Sequence, residues 1–259
     1  NFNSRYSGGH VYTATAMYKR NFTKKGHEIS ATFSYDYNYG QDNPVSELRT
    51  LEGRITDGKK SFETGTANLY RFKIDYVLPI GKKGVFETGL QSKIELYHDE
   101  TALETYVPDD EKYIEIPEFN QLTDYKRNIQ SFYALFGSEF KKFGYQFGIR
   151  GEYTDRKIDN TSFINPFLFN KMDFFPTLHL SYDFPKKNSL FASYGRRIDR
   201  PRSSWLEPFF TWENVFDLKR GNPNLIPEYV DSYSLSYVKK FNKNMFAFET
   251  YYQVGHNKN

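Results

Sequence analysis

The 259-residue chain contains no cysteine and only two tryptophans, and its longest apolar runs fall well short of the about 18 residues that a membrane-spanning helix needs. Without cysteine, thiolate metal sites and disulfides are excluded. The sequence also lacks a phosphate-binding glycine loop, a nucleophile elbow and a cluster of metal ligands. We therefore expect no cofactor, no metal site and no catalytic residue.

Charge of one sign is not in large excess either. The 35 basic and 32 acidic residues leave a net charge of +3, and the lysines recur at regular intervals instead of forming one stripe. A nucleic-acid-binding protein concentrates its basic residues on one face. The sequence therefore predicts no nucleic-acid partner.

Aromatic residues are abundant, with 22 tyrosines and 25 phenylalanines. Many of them alternate with polar residues, most clearly over residues 28–39, where isoleucine, alanine, phenylalanine and tyrosine occupy every second position. Such alternation is typical of strands. The mean hydropathy of −0.73 is typical of soluble proteins. A membrane β-barrel has the same average, because only alternate residues face lipid while the others face a polar lumen.

This alternation predicts an all-β fold of ten strands. They cover residues approximately 11–20, 27–39, 67–79, 85–98, 128–140, 145–157, 174–184, 188–197, 229–240 and 245–256. Strands of about 9 to 11 residues cross a bilayer at a tilt, whereas strands of soluble proteins are usually about 5 to 6 residues long. We therefore predict an antiparallel up-and-down transmembrane β-barrel in an outer membrane, in contact with its lipid.

Five lysine pairs mark the short turns of this pattern. They begin at residues 24, 82, 141, 186 and 239, so successive pairs lie 45 to 59 residues apart. Short turns that alternate with long connections are typical of membrane barrels, with the tight turns on one side and the large loops on the other. The lysines suit a surface of anionic headgroups, although lysine-rich turns also occur in soluble hairpins.

Four long polar connections remain, at approximately 40–66, 98–127, 158–173 and 198–228, and the sequence predicts that they are irregular loops. The second is acidic, which indicates a solvated loop more than a calcium site, because the spacing of an EF-hand is missing. His98 and Asp99, with Asp109 and Asp110, suggest an acid–base group. Because the histidines of the chain are scattered, the sequence favours the alternative that His98 is a histidine at the rim of an acidic loop.

The fourth connection is the candidate ligand-binding loop, because prolines stiffen it and it holds four arginines within seven residues and both tryptophans. Arginine and aromatic side chains are strong anchors for ligands. The candidate ligand-binding residues are Arg196, Arg197, Arg200, Arg202, Trp205 and Trp212. The alternative is that the loop folds over the barrel mouth and pairs its own arginine and glutamate residues.

The same loop carries a family resemblance. Residues 193–201 read Ser-Tyr-Gly-Arg-Arg-Ile-Asp-Arg-Pro, residues 206–209 read Leu-Glu-Pro-Phe, and residues 221–228 read Gly-Asn-Pro-Asn-Leu-Ile-Pro-Glu. This combination resembles the barrel of TonB-dependent outer-membrane receptors, and most of all a branch described as an outer-membrane β-barrel family. The regular recurrence of hairpins with short lysine turns extends the resemblance over the whole chain.

The resemblance implies a barrel of about 22 strands filled by an N-terminal plug. It also implies import of a bulky ligand with energy from an inner-membrane protein that contacts the plug. A surface lipoprotein or a larger outer-membrane complex is a further partner that the resemblance suggests. The chain shows ten strands and no plug, so we expect a middle portion of such a barrel, cut at both ends. Two other functions stay open, a non-transporting structural or assembly subunit and a small barrel enzyme.

Overall fold

Strands dominate the computed structural model, which describes residues 2–210 and 214–258 and, for residues 211 and 212, the backbone alone. The strands are, in chain order, β1 (Phe2–Asn21), β2 (Glu28–Arg49), β3 (Ile55–Ile80), β4 (Gly84–Val107), β5 (Lys112–Glu115), β6 (Gln121–Phe140), β7 (Phe143–Asn160), β8 (Phe167–Phe184), β9 (Asn188–Asp199), β10 (Phe210–Trp212), β11 (Leu218–Arg220), β12 (Glu228–Phe241) and β13 (Asn244–His256). One helical turn, α1 (Ser203–Leu206), and a 3-10 turn (Pro117–Phe119) complete the structure. Among the described residues, no helix has the length and apolar character needed to cross a membrane.

Ten of the strands form one antiparallel up-and-down sheet. Its order is β1-β2-β3-β4-β6-β7-β8-β9-β12-β13, so each long strand pairs with the next one in the chain. The short strand β5 pairs with the end of β4, and β10 pairs with β11 in a separate hairpin. The predicted all-β, antiparallel fold with ten long strands is confirmed.

The long strands extend further than the sequence predicts, and the prediction of irregular loops is wrong for three of the four long connections. Strand β3 has 26 residues, and residues 40–49 and 55–66 belong to β2 and β3. Likewise, most of 98–127 and of 158–173 lies in β4 to β8. These extensions lack the alternating apolar side chains by which the strands were predicted. Backbone pairing with the neighbouring strands continues the ladder there, and most of the side chains buried along it are polar, such as Ser61 and Thr101.

The short turns lie together at one end of the sheet, as the antiparallel order requires. Two of them place lysine in the left-handed region: φ is 54° at Lys141, 62° at Lys186 and 60° at Lys187. Elsewhere glycine takes this conformation, with φ of 78° at Gly26 and 62° at Gly81. The lysine pairs therefore do mark short turns, although the last pair lies inside β12, two residues before Asn242.

The two faces of the sheet differ in polarity, because alternate residues of a strand point to opposite sides. On the face that we call the apolar face, Phe132 and Phe147 are each 53% exposed. On the other, which we call the polar face, Ser131 and Glu152 are 7% and 4% exposed. The polar face carries ion pairs such as Arg127 Nε to Glu95 Oε2 at 2.5 Å, which offset the cost of burying charge.

Candidate functional site

The connection from β9 to β12, residues 200–227, folds back onto the polar face, and we call it the 200–227 segment. Arg200 Nη2 donates to Glu152 Oε2 on β7 at 2.5 Å. Also on β7, Arg156 Nη2 donates to the carbonyl oxygen of Pro223 at 2.9 Å. Charged donors to buried acceptors make strong hydrogen bonds. Strand β7 therefore holds both ends of the segment.

A small apolar cluster fixes the middle of the segment. Leu206, at the end of α1, is 0% exposed and packs against Tyr125 of β6 and Ile158 of β7. Tyr97, Phe167 and Leu225 cover the cluster from the sides. The buried apolar core of this part of the molecule therefore lies between the segment and the sheet, away from the short turns.

A tight internal turn closes the segment on itself. The Gly221 N–H donates to the carbonyl oxygen of Glu207 at 2.9 Å, and the Asn222 N–H donates to that of Trp205 at 2.7 Å. A Cβ added at Gly221 would lie 2.5 Å from the Glu207 oxygen and 2.8 Å from the Trp205 oxygen. Only glycine permits this close approach of two backbones.

The segment begins where β8 and β9 separate. Over the described residues, their pairing is confined to residues 177–184 and 188–195. Beyond it, side chains bridge β8 and β12: Lys171 Nζ donates to the Tyr229 hydroxyl at 2.8 Å, and that hydroxyl donates to Asp173 Oδ1 at 2.9 Å. The backbone pairing of β8 and β9 therefore stops short of the 200–227 segment, while β9 stays paired with β12 up to Asp199.

Together, the segment and strands β2 to β4 line an open cavity of about 330 Å³. Tyr97 and Phe209 supply aromatic walls, and Glu63, Asp99 and Glu207 supply carboxyl groups. We call it the carboxylate cavity. Burial raises the pKa of Glu207 to about 8, and the charges of Asp99 and Glu63 add to the rise. Burial likewise raises the pKa of Asp99 to about 6, against the opposing charge of His98.

The acid–base group suggested by the sequence around His98 is not assembled. His98 and Asp99 are consecutive on β4, so their side chains lie on opposite faces of the sheet. His98 Nδ1 is 2.8 Å from Asp124 Oδ1, whereas Asp99 lines the carboxylate cavity. Among the residues that the structure describes, no three histidine, cysteine or carboxylate side chains are arranged to hold a metal ion.

Two of the candidate arginines are engaged by the sheet. Arg196 Nη2 donates to Asp231 Oδ2 of β12 at 3.2 Å, and Arg200 is bound by Glu152 of β7. Arg197 is exposed on β9. Arg200 thus pairs with a glutamate of the sheet instead of a glutamate of its own loop.

Two other candidates form an exposed pair. Arg202 lies over the ring of Trp205 with its Cζ atom 5.8 Å from the ring centroid, and Trp205 is 51% exposed. This is the distance of a cation–π contact. The side chain of Trp212, the remaining candidate, lies outside the described residues.

Sequence reasoning missed Arg156 and Glu207. Arg156 is one of several charged residues on the polar face of β7, so nothing in its pattern distinguishes it. Glu207 had a signal, because it stands alone between apolar Trp205-Leu206 and Pro208-Phe209-Phe210. A charge inside an apolar run indicates burial next to a polar or titratable site.

The chain belongs to the outer membrane protein beta-barrel family, whose model matches residues 20–259. The sheet is accordingly part of an outer-membrane β-barrel, with the apolar face toward lipid and the polar face toward the lumen. A search of curated protein sequences finds no match.

Solved structures show the same fold at low sequence identity. The copper transporter OprC matches with a TM-score of 0.65 and 10% identity, over 95% of this chain and 38% of that one. The ferric citrate transporter FecA matches with a TM-score of 0.57 and 11% identity, over 90% and 32%. The RagAB peptide transporter matches with a TM-score of 0.53 and 12% identity, over 98% and 30%. The chain thus spans about a third of the length of these proteins.

Proposed function

We propose that this chain is part of the barrel of an outer-membrane receptor of the TonB-dependent type, which takes up a ligand through its lumen. The observation that carries the proposal is the 200–227 segment, which is anchored on the polar face and bounds the carboxylate cavity there. Ligand sites are concave, with aromatic walls and a few polar groups that fix orientation. The segment supplies both features at the end of the sheet opposite the short turns.

The residues of the segment divide into anchors and contacts. Arg196 and Arg200 are held by carboxylates and position the backbone. Arg202 and Trp205 are exposed to the lumen side and free to contact a ligand, because neither is tied to the sheet by a hydrogen bond within the described residues. We propose Arg202, Trp205 and the walls of the carboxylate cavity as the ligand contacts, with Arg197 and Trp212 as further contacts. No catalytic role is proposed for any of them.

The ligand of this protein is not inferred from the similar structures. The similar structures are transporters of copper, ferric citrate and peptide, so transport is common to them while the ligand differs. By the same resemblance, we propose that an inner-membrane protein provides the energy through a plug, and that a surface lipoprotein or a larger outer-membrane complex is a partner.

Uptake is tested in cells that carry the full-length gene. We would compare the compounds removed from a complex medium by wild-type cells, by cells lacking this gene and by cells lacking the inner-membrane energy-coupling protein. The proposal expects at least one compound whose removal is lost in both deletion strains. An Arg202→Ala/Trp205→Ala variant is expected to reduce its uptake about tenfold or more, since anchors of this kind contribute about 2 kcal/mol or more.

Unchanged removal of every compound in the gene-deletion strain contradicts uptake. It would favour the non-transporting alternative, in which affinity purification of the full-length protein yields a stable outer-membrane complex. A compound that is converted outside the cell, instead of being taken up, would favour the barrel enzyme.

A further inference from the structure

The floor of the carboxylate cavity is formed by glycine on two neighbouring strands. Gly40 of β2 and Gly65 of β3 are register partners, and Gly65 pairs in turn with Asp99 of β4. A Cβ added at Gly40 meets nothing within 4 Å. At Gly65, an added Cβ would lie 2.0 Å from Asp99 Oδ1, so the carboxyl group of Asp99 lies across this glycine. The absence of side chains on the floor leaves room for that carboxyl group and for a second group beside it.

Two carboxyl groups of the cavity lack a donor. Within residues 2–210 and 214–258, the side chains of Asp99 and Glu207 have no hydrogen-bond or ion-pair partner, although both are half-buried. A third carboxylate of the lining, Asp42, differs from them, because Arg5 of β1 pairs with it. Burying a carboxyl group without a partner is costly, so a donor on a bound molecule would stabilise both groups.

The charge of the cavity is negative. Its described lining contains five carboxyl side chains and no lysine or arginine. Lys219 of β11 lowers the pKa of Glu207, but less than either Asp99 or Glu63 raises it. His98 opposes the rise in the pKa of Asp99 from the other face of β4, where it does not line the cavity. The cavity therefore favours a cation over an anion.

The walls of the cavity distinguish between kinds of cation. Tyr97 and Phe209 are aromatic, and a guanidinium group stacks on aromatic rings while its N–H groups donate to carboxylates. A metal ion would make no use of these rings, and the described residues hold no cluster of metal ligands. Pockets for whole ligands have about 300–1,000 Å³, so 330 Å³ suits one arm of a larger molecule.

We propose that the carboxylate cavity binds a guanidinium group of the imported ligand, with Asp99 and Glu207 as acceptors and with Tyr97 and Phe209 as stacking partners. The inference rests on the proposed uptake function and names the chemical class of its ligand. Asp99 belongs to the sheet and Glu207 to the 200–227 segment, so the bound group connects the two. Binding therefore stabilises the docked segment.

The test measures calorimetric binding of Nα-acetylarginine amide to the full-length protein in detergent micelles. Nα-acetylcitrulline amide is the matched control ligand, because a neutral urea group replaces the guanidinium group at nearly the same shape. The arginine probe is expected to bind about tenfold or more tightly than the citrulline probe, since hydrogen bonds between charged groups are lost in the latter.

Protein variants locate the bound group. Glu207→Gln and Asp99→Asn are each expected to weaken binding of the arginine probe about tenfold. Glu139→Gln is the matched control, because Glu139 is exposed beside a short turn at the opposite end of the sheet, and it is expected to change affinity less than about twofold. Should Glu207→Gln release the segment, Asp99→Asn tests the same site from the sheet.

Binding is also expected to release a proton. Glu207 has a pKa of about 8, so it is mostly protonated at about pH 7, and a bound guanidinium group favours its ionised form. Titrations in two buffers of different ionisation enthalpy should give about one proton released per bound probe in the wild type, and far less in Glu207→Gln. A purely structural role of Glu207 would not produce this difference.

Equal affinity for the arginine and citrulline probes would overturn the inference, as would no binding of the arginine probe at about 10 mM. Wild-type affinity in both Glu207→Gln and Asp99→Asn would also overturn it, because the guanidinium group would then bind elsewhere. None of these results contradicts uptake itself. A compound without a guanidinium group whose removal is lost in both deletion strains would retain the proposed function and overturn this ligand class.

Discussion

Leu206 is the residue on which the docking of the 200–227 segment depends most. It is fully buried between Tyr125 and Ile158, although its helix has only four residues. We expect Leu206→Ala to destabilise the docked segment by about 2–5 kcal/mol, the usual cost of removing a buried leucine side chain. Hydrogen exchange of the backbone amides in residues 200–227 of the full-length protein measures this opening.

Leu51→Ala is the matched control, because Leu51 lies in the β2–β3 turn and is 108% exposed. It is expected to leave the exchange of the segment unchanged. Slow exchange of residues 200–227 in Leu206→Ala would show that other contacts, such as those of Arg156, hold the segment by themselves.

Glu207 makes the docking of the segment sensitive to pH. Its pKa rises from an ordinary 4.5 to about 8 through burial and through the charges of Asp99 and Glu63. The docked state therefore binds the proton more tightly than the open state, so docking is strongest below about pH 4.5 and weakens as the pH rises toward about 8. Glu207→Gln is expected to abolish most of this dependence, because a neutral amide replaces the titrating group.

The fluorescence of Trp205, measured against pH in a variant in which Trp212 is replaced by phenylalanine, reports this docking. A titration near pH 8 that persists unchanged in Glu207→Gln would assign the effect to another group. The pH dependence of docking that remains in Glu207→Gln is expected from Asp99, whose pKa is about 6.

Among the elements, the turn at Gly221 depends most strictly on one residue type. The Cβ of an alanine there would lie 2.5 Å from the Glu207 carbonyl oxygen, so the two backbone strands of the segment must separate. We expect Gly221→Ala to expose the segment to limited proteolysis while the sheet stays intact. Gly40→Ala is the control, because an added Cβ meets nothing within 4 Å there. Equal resistance of both variants to protease would contradict this role of Gly221.

The long strands show what alternation could and could not predict. The lipid-facing part of β3 was predicted, because Tyr70, Phe72 and Ile74 alternate with charged residues. Its first dozen residues were predicted as loop, since residues 55–66 contain only one large apolar side chain besides Ile55, namely Phe62. Backbone pairing with β2 and β4 determines the strand there, and single-sequence periodicity does not detect pairing.

For the whole molecule, the membrane position of the sheet can be tested on one strand. Phe132 and Leu122 lie on the same face of β6, ten residues apart, and are 53% and 44% exposed. Arginine is expected to destabilise the full-length barrel by about 2 kcal/mol or more at the centre of the lipid band, and by less than about 1 kcal/mol at its edge or outside it. Phe132→Arg should therefore unfold at lower urea concentration in lipid vesicles than Leu122→Arg. Equal unfolding midpoints would place the bilayer elsewhere along the strands.

The sequence by itself determined the membrane barrel, because the alternation of aromatic and polar residues and the spacing of the lysine turns are local and periodic. It also identified the segment at 198–228 as distinctive, through its arginines, prolines and resemblance to a receptor family. Only the tertiary structure decided what that segment touches. Arg156, Leu206 and Glu207 acquire their roles from partners 40 or more residues away in the chain, and contacts at such separations do not appear as a periodic pattern in the sequence.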